Sequence, residues 1–269
     1  MARKFQTVPV LGTPLAVVDY QEAASWIVES ALETVRPLPV AAANTMVVTL
    51  ARHDPHYRET LAPFAMVTPD GMPLVWCLNR RLPRGRKLKD RVYGPSLMLA
   101  VFAATEKCAG IRHFLLGGTE DTLVKLEANL RHRFPNSKIA GVFSPPFGEW
   151  TAEVHGDILR RIKASGANVT WIGLGCPKQE NWLAAHLREL PPGVYPAVGA
   201  AFAFHAGKVK QAPRWMQRCG LEWAFRLWSE PRRLFTRYLK FNSLFIYYLI
   251  RDALWRSKTP SSPTCNPTP

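Results

Sequence analysis

Within eight residues, Gly173-Leu174-Gly175-Cys176-Pro177-Lys178-Gln179-Glu180 brings together two glycines, a proline, a lysine and two further polar side chains. Gly173 and Gly175 let the backbone approach a ligand closely. Pro177 suits the first turn of a helix, and Lys178 adds positive charge where free N–H groups already favour an anion. The spacing is neither a dinucleotide fingerprint, which would need glycine in place of Lys178, nor a P-loop. Residue types alone leave two readings level: an anion-binding turn, or a tight strand-to-helix turn carrying a surface lysine. Asp70, between Pro69 and Gly71, can act as general base on a sugar hydroxyl if it ends a strand. The dipeptide by itself favours a turn aspartate bonded to its own backbone. Arg91 closes the basic stretch Arg80–Arg91, which reads as an exposed loop. It can grip phosphate oxygens in bidentate fashion or serve a surface ion pair. The seven histidines and five cysteines show no ligand spacing and no CxxC pair, so no metal and no disulfide framework are expected. The scattered thiols fit a reducing compartment, and His205 reads as structural.

These residues need elements to hold them. Short apolar or β-branched runs alternate with helical patterns: strands at 8–12, 40–43, 65–68, 113–116, 138–143, 169–172 and 196–202, and helices over 20–33, 45–61, from Pro95, 120–133, 151–164 and up to Leu190. Such alternation implies an α/β fold, a Rossmann-like and mostly parallel sheet covered by helices. Ligands in such sheets sit at the carboxyl ends of the strands. Asn44, Asp70, Gly117, Gly173 and Gly199 all fall at expected strand ends and can converge on one crevice.

After Gly207 the character changes. Twelve Lys or Arg stand against Glu222, Glu230 and Asp252, so this last quarter holds more than half of the chain's net charge of +15. Trp215, Trp223, Phe225, Trp228, Phe235, Tyr238, Phe241, Phe245 and Tyr247 are interleaved with that charge. The boundaries expected are an α/β unit over 1–207, a helical appendage over 208–256 and a disordered tail over 257–269. A charge of this size points to a polyanion. The appendage has three readings: a nucleic-acid surface with stacking platforms, an amphipathic membrane element, or a helical hairpin packed on the core. Large, concentrated apolar residues favour the membrane. No stretch reaches the roughly 18 to 20 apolar residues of a membrane span, and the N-terminal residues lack a signal-peptide pattern.

Taken together, Pro69-Asp70-Gly71, Asp90-Arg91-Val92-Tyr93-Gly94, Leu115-Leu116-Gly117-Gly118, the Gly173–Glu180 turn, Ala206-Gly207 with Ala212-Pro213, and Gly220-Leu221-Glu222-Trp223 through Arg226 to Glu230-Pro231-Arg232-Arg233 resemble the bacterial WecG/TagA/CpsF glycosyltransferase family. They run in family order over roughly residues 8 to 240. The resemblance implies an inverting, metal-independent enzyme that needs no cofactor. It would move a hexose or N-acetylhexosamine from a UDP-sugar to an undecaprenyl-diphosphate-linked glycan in exopolysaccharide or cell-surface polysaccharide synthesis. The place implied is the inner face of the plasma membrane, peripherally bound to anionic lipid. By the same resemblance Asp70 is the base and Asn44 positions the sugar. Gln179, with Gly173, Gly175, Pro177, Lys178, Glu180 and Gly199, holds the donor. Arg91, Arg226, Arg233 and Arg237 take the diphosphate charge in place of a divalent cation. Ala42, Ser96, Ala200 and Ala203 depart from the family's usual residues, while Asp70 and Gln179 are retained. No nucleic acid is expected and self-association is left open. The alternatives are a basic nucleic-acid-binding α/β module and an inactive scaffold of the same family.

Overall fold

Capping side chains set where the first helices begin. Asp19 opens α1 (Tyr20–Glu33) with a capping box, its carboxylate accepting from the Glu22 N–H while Glu22 accepts from the Asp19 N–H. Asn44 caps α2 (Thr45–His53), accepting from the Met46 and Val47 N–H groups at 3.0 and 3.3 Å. Asp54 caps α3 (Pro55–Leu61). The single helix expected over 45–61 is therefore two, because the residue before Pro55 is driven to extended backbone. The computed structural model describes residues 5–106 and 108–258; the side chains of Arg233 and of residues 255–258 lie outside that description.

The early strand has a partner that the sequence pattern did not reveal. β1 (Thr7–Val10) pairs antiparallel with β2 (Thr13–Ala16) across a two-residue turn, Leu11 and Gly12, with φ of 50° and 91°. Two positive φ values match the right-handed twist of a tight hairpin. The main sheet holds β3 (Pro37–Ala43), β4 (Met66–Pro69), β5 (Arg112–Gly117), β6 (Lys138–Phe143), β7 (Val169–Gly173) and β8 (Gly193–Ala197). Their order is β4-β3-β8-β7-β5-β6 and every pairing is parallel. This is the Rossmann-like α/β fold expected. The last strand ends earlier than the 196–202 run suggested. Gly199 turns the chain at φ 52°, and Ala201 already belongs to α9 (Ala201–His205).

Both faces of the sheet are covered, so its strands are apolar on both sides. Val40, Leu115, Trp171 and Val194 pack with α1, α5 (Gly94–Thr105), α6 (Glu120–Arg133) and α9. Ala41, Ala43, Leu116, Ile172 and Tyr195 face the opposite layer: α2, α3, α4 (Met72–Asn79), α7 (Ala152–Ser165) and α8 (Lys178–His186). That second layer also takes Phe245 and Tyr248 from the C-terminal segment.

The appendage comprises α10 (Arg214–Arg218), α11 (Glu222–Ser229) and α12 (Pro231–Lys258). α12 lies against α2, where Thr45 Oγ1 donates to Asn242 Oδ1 at 3.2 Å, His53 Nδ1 meets the Tyr248 hydroxyl at 2.8 Å and Arg52 pairs with Asp252. Other residues of the same segment are solvent-facing: Trp228, Phe235, Leu239, Ile250 and Leu254. Among the described residues no helix is long and apolar enough to cross a membrane. α12 runs through Lys258, and residues 259–269 of the expected tail lie outside the described residues.

Candidate active site

Parallel strands deliver their following residues to one edge of the sheet, and four neighbouring strands do so here. Asp70 follows β4, Asn44 follows β3, Gly199 lies beyond β8, and Gly173 ends β7. All four line one cavity of about 790 Å³. Gly117, at the end of β5, is not among its walls. It abuts Gly173, so closely that a Cβ there would lie 2.6 Å from the Gly173 carbonyl carbon. A Cβ on Gly173 would in turn lie 2.6 Å from the Phe202 ring. Both glycines are therefore needed for close packing behind the cavity. The opposite wall is the appendage: Glu222, Trp223 and Arg226 from α11, with Leu234, Arg237, Tyr238, Phe241 and Asn242 from α12.

Asp70 is the carboxylate at the strand-end wall. Its N–H donates to the Ala43 carbonyl at 2.8 Å, which fixes the backbone. Its Oδ1 is sheltered from solvent and has no hydrogen-bond partner. Burial pushes the carboxyl up to about 8; the Arg91 guanidinium opposes that rise, Glu222 adds to it, and the Gly94 N–H and Arg226 pull down. A carboxylate so placed is a proton acceptor near neutral pH, the property a general base needs.

The basic loop ahead of Arg91 is largely exposed, as expected, but Arg91 itself is buried. It is 6% exposed, forms a buried ion pair with Glu222, donates to Gln217 Oε1 at 3.2 Å and stacks 4.1 Å from the Tyr93 ring centroid. Arg226 reaches the cavity with its Nε sheltered and without a hydrogen-bond partner, its Cζ 5.6 Å from the Phe204 ring centroid. Arg237 donates to the Cys176 carbonyl at 3.1 Å and so ties α12 to the glycine-rich turn. Arg233 lies on α12, and its side chain is outside the described residues. With Arg80, the walls hold four arginines against two carboxylates, an excess of positive charge suited to an anionic ligand.

The glycine-rich turn divides. Gly173, Gly175 and Gln179 are cavity walls; Pro177, Lys178 and Glu180 are not. Lys178 points away from the expected anion site, its Nζ donating to the Gly148 carbonyl at 2.8 Å and sitting 3.8 Å from the Trp150 ring centroid. Pro177 occupies the N-cap of α8, after a cis Cys176–Pro177 bond. Glu180 is fully buried behind the wall, where burial raises its carboxyl above the ordinary range. Gln179, only 4% exposed, accepts from the Gly175 N–H at 3.2 Å and donates to Glu180 Oε1 at 2.8 Å. Its amide thus braces the turn from within while one edge faces the cavity. Asn44 has a double duty of the same kind, since its oxygen is committed to capping α2.

Sequence reasoning gave no role to Glu222, Gln217 or Tyr238. For Glu222 a signal existed: an isolated acid among many arginines and lysines is a candidate for pairing with a distant cation. Among the described residues, no three His, Cys, Asp or Glu side chains cluster in a manner that would hold a metal ion. Residues 8–259 match the model of the glycosyl transferase WecG/TagA/CpsF family. That span takes in the strand-end wall and the cationic wall alike, and on it the chain belongs to this family of glycosyltransferases.

Proposed function

We propose that the chain transfers a hexose or N-acetylhexosamine from a UDP-sugar to an undecaprenyl-diphosphate-linked glycan, with inversion at the anomeric carbon. The observation that carries this reading is Asp70: a carboxyl with one sheltered, partnerless oxygen, at a strand end, in a cavity rich in arginine. In the step proposed, the acceptor hydroxyl attacks the anomeric carbon and its proton passes to Asp70. The bond to the diphosphate oxygen breaks, and Arg226 and Arg237 meet the charge left on UDP. Gly173, Gly175 and Gly199 let the backbone come close to the donor, and Asn44 orients the sugar. The lipid-linked acceptor is supported by the solvent-facing aromatic and aliphatic residues beside the cavity and by the positive charge of the same segment. They fit a place at the inner face of the plasma membrane, bound to anionic lipid.

The test is a panel of UDP-sugars against lipid-linked mono- and disaccharide acceptors, run with the parent chain and with Asp70→Asn. Transfer by the parent and its loss in the variant supports the reading. Unchanged transfer in Asp70→Asn rejects Asp70 as the base, and no UDP release with any pair rejects the reaction.

A further inference from the structure

Arg91 and Glu222 are 131 residues apart in sequence, yet each is below one-tenth exposed and they form an ion pair at the cavity wall. Arg91 belongs to the core, just ahead of α5, and Glu222 begins α11 in the appendage. A buried ion pair is poor evidence for stability, because removing two charges from water costs nearly as much as their attraction returns. What such a pair does supply is placement. Arg226 lies four residues after Glu222, on the same side of α11, and is the cation whose Nε is sheltered and partnerless in the cavity. Gln217 of α10 also accepts from Arg91, so two appendage residues converge on this one guanidinium.

We propose that Glu222 is a positioning residue for transfer: by holding the Arg91 guanidinium it keeps that cation from neutralising Asp70, and it sets Arg226 against the cavity. This rests on Asp70 being the general base. The charged and titratable groups that line the cavity with Asp70 are Cys77 from α4 and Arg80 just after it, Arg91 and Tyr93 ahead of α5, Cys176 ahead of α8, Glu222 and Arg226 from α11, and Arg237 and Tyr238 from α12. Of these, Glu222 is the carboxylate opposing the arginines. With Glu222 neutral, Arg91 exerts its whole charge on Asp70 and the carboxyl becomes a weaker base.

Two variants of opposite sign test this. Glu222→Gln removes the charge and keeps the shape; Gln217→Glu adds a second carboxylate to Arg91. In the profile of kcat/KM against pH, the acid limb should move down by about one unit in Glu222→Gln and up in Gln217→Glu. The plateau of Glu222→Gln should also fall, since a weaker base accepts the proton less readily. A second readout needs no turnover. Asp70 holds its proton more tightly when folded, so its stabilising contribution is complete below about pH 4 and is lost as pH rises through about 8. The Tm of the parent minus that of Asp70→Asn should decline across that window, and Glu222→Gln placed in both backgrounds should draw its upper end to lower pH. If both variants leave the limb and the window in place, whatever they do to overall rate, the proposal is overturned. Should Glu222→Gln fail to fold, Gln217→Glu decides alone, and the absence of an upward shift overturns it. If the parent transfers no sugar, the proposed function fails while the Tm readout still decides the role of Glu222.

Discussion

A base that titrates near neutral pH leaves a mark on both rate and stability, and Asp70, the base proposed, should leave both. The step proposed for Asp70 needs its ionised form, so kcat/KM should climb with pH through about 8 and level off above it. Asp70→Asn should lower kcat by about 10²- to 10⁴-fold. The same variant should have a higher Tm than the parent at pH 9, because it removes a sheltered, poorly partnered charge. Asn44 offers a cleaner separation of roles. Asn44→Ala should cost about 1 kcal/mol in chemical denaturation through the lost cap on α2, while Asn44→Asp should keep the cap and the stability. Transfer lost in Asn44→Asp would show that the amide handles the sugar; transfer retained would leave Asn44 a cap alone. Asn44 and Asp70 were readable as strand-end residues because each directly follows a short apolar run. Arg91 was not, because what buries it arrives more than a hundred residues later. Lys178 misled for a related reason: its partners, Gly148 and Trp150, come from a different loop.

At the scale of elements, the packing of the glycine-rich turn makes sharp predictions. Gly173→Ala must push the Phe202 ring aside, and overpacking of this kind costs about 1 to 3 kcal/mol. Its urea midpoint should fall, whereas Gly85→Ala, with open space around it, should leave the midpoint unchanged. Equal midpoints for the two variants would contradict this account of the turn. Strand–helix alternation was legible because each element carries its own period and its own cap. The break at Pro55 was there to be read in Asp54-Pro55, a cap followed by a helix-opening proline. The end of β8 was not, since an alanine-rich run with one glycine fits a strand and a short helix equally. The C-terminal helices were visible as an amphipathic, basic segment; that they complete the cavity was implied by the family resemblance alone, because no local pattern shows which core surface a helix will cover.

For the whole molecule, the question is which surface meets the acceptor. Trp228 is 89% exposed, and Phe235 and Leu239 are also solvent-facing; none of the three lines the cavity. Each Lys or Arg near an anionic leaflet contributes about 1 kcal/mol, so this basic segment should bind acidic vesicles, more weakly as salt rises. Changing Trp228, Phe235 and Leu239 together to Glu should abolish co-sedimentation with such vesicles while leaving Tm within a few degrees. Transfer to a short-chain, water-soluble acceptor should survive in that variant, and its loss would tie these side chains to the chemistry instead of the surface. One arrangement described above bears on how the protein is made. All six strands of the main sheet leave the ribosome before Glu222, Arg226 and Arg237, and chains generally fold from the N-terminal side during synthesis. The growing polypeptide therefore carries Asp70, Arg80 and Arg91 long before Glu222, Arg226 and Arg237. The cavity becomes complete only once α11 and the first half of α12 have been made.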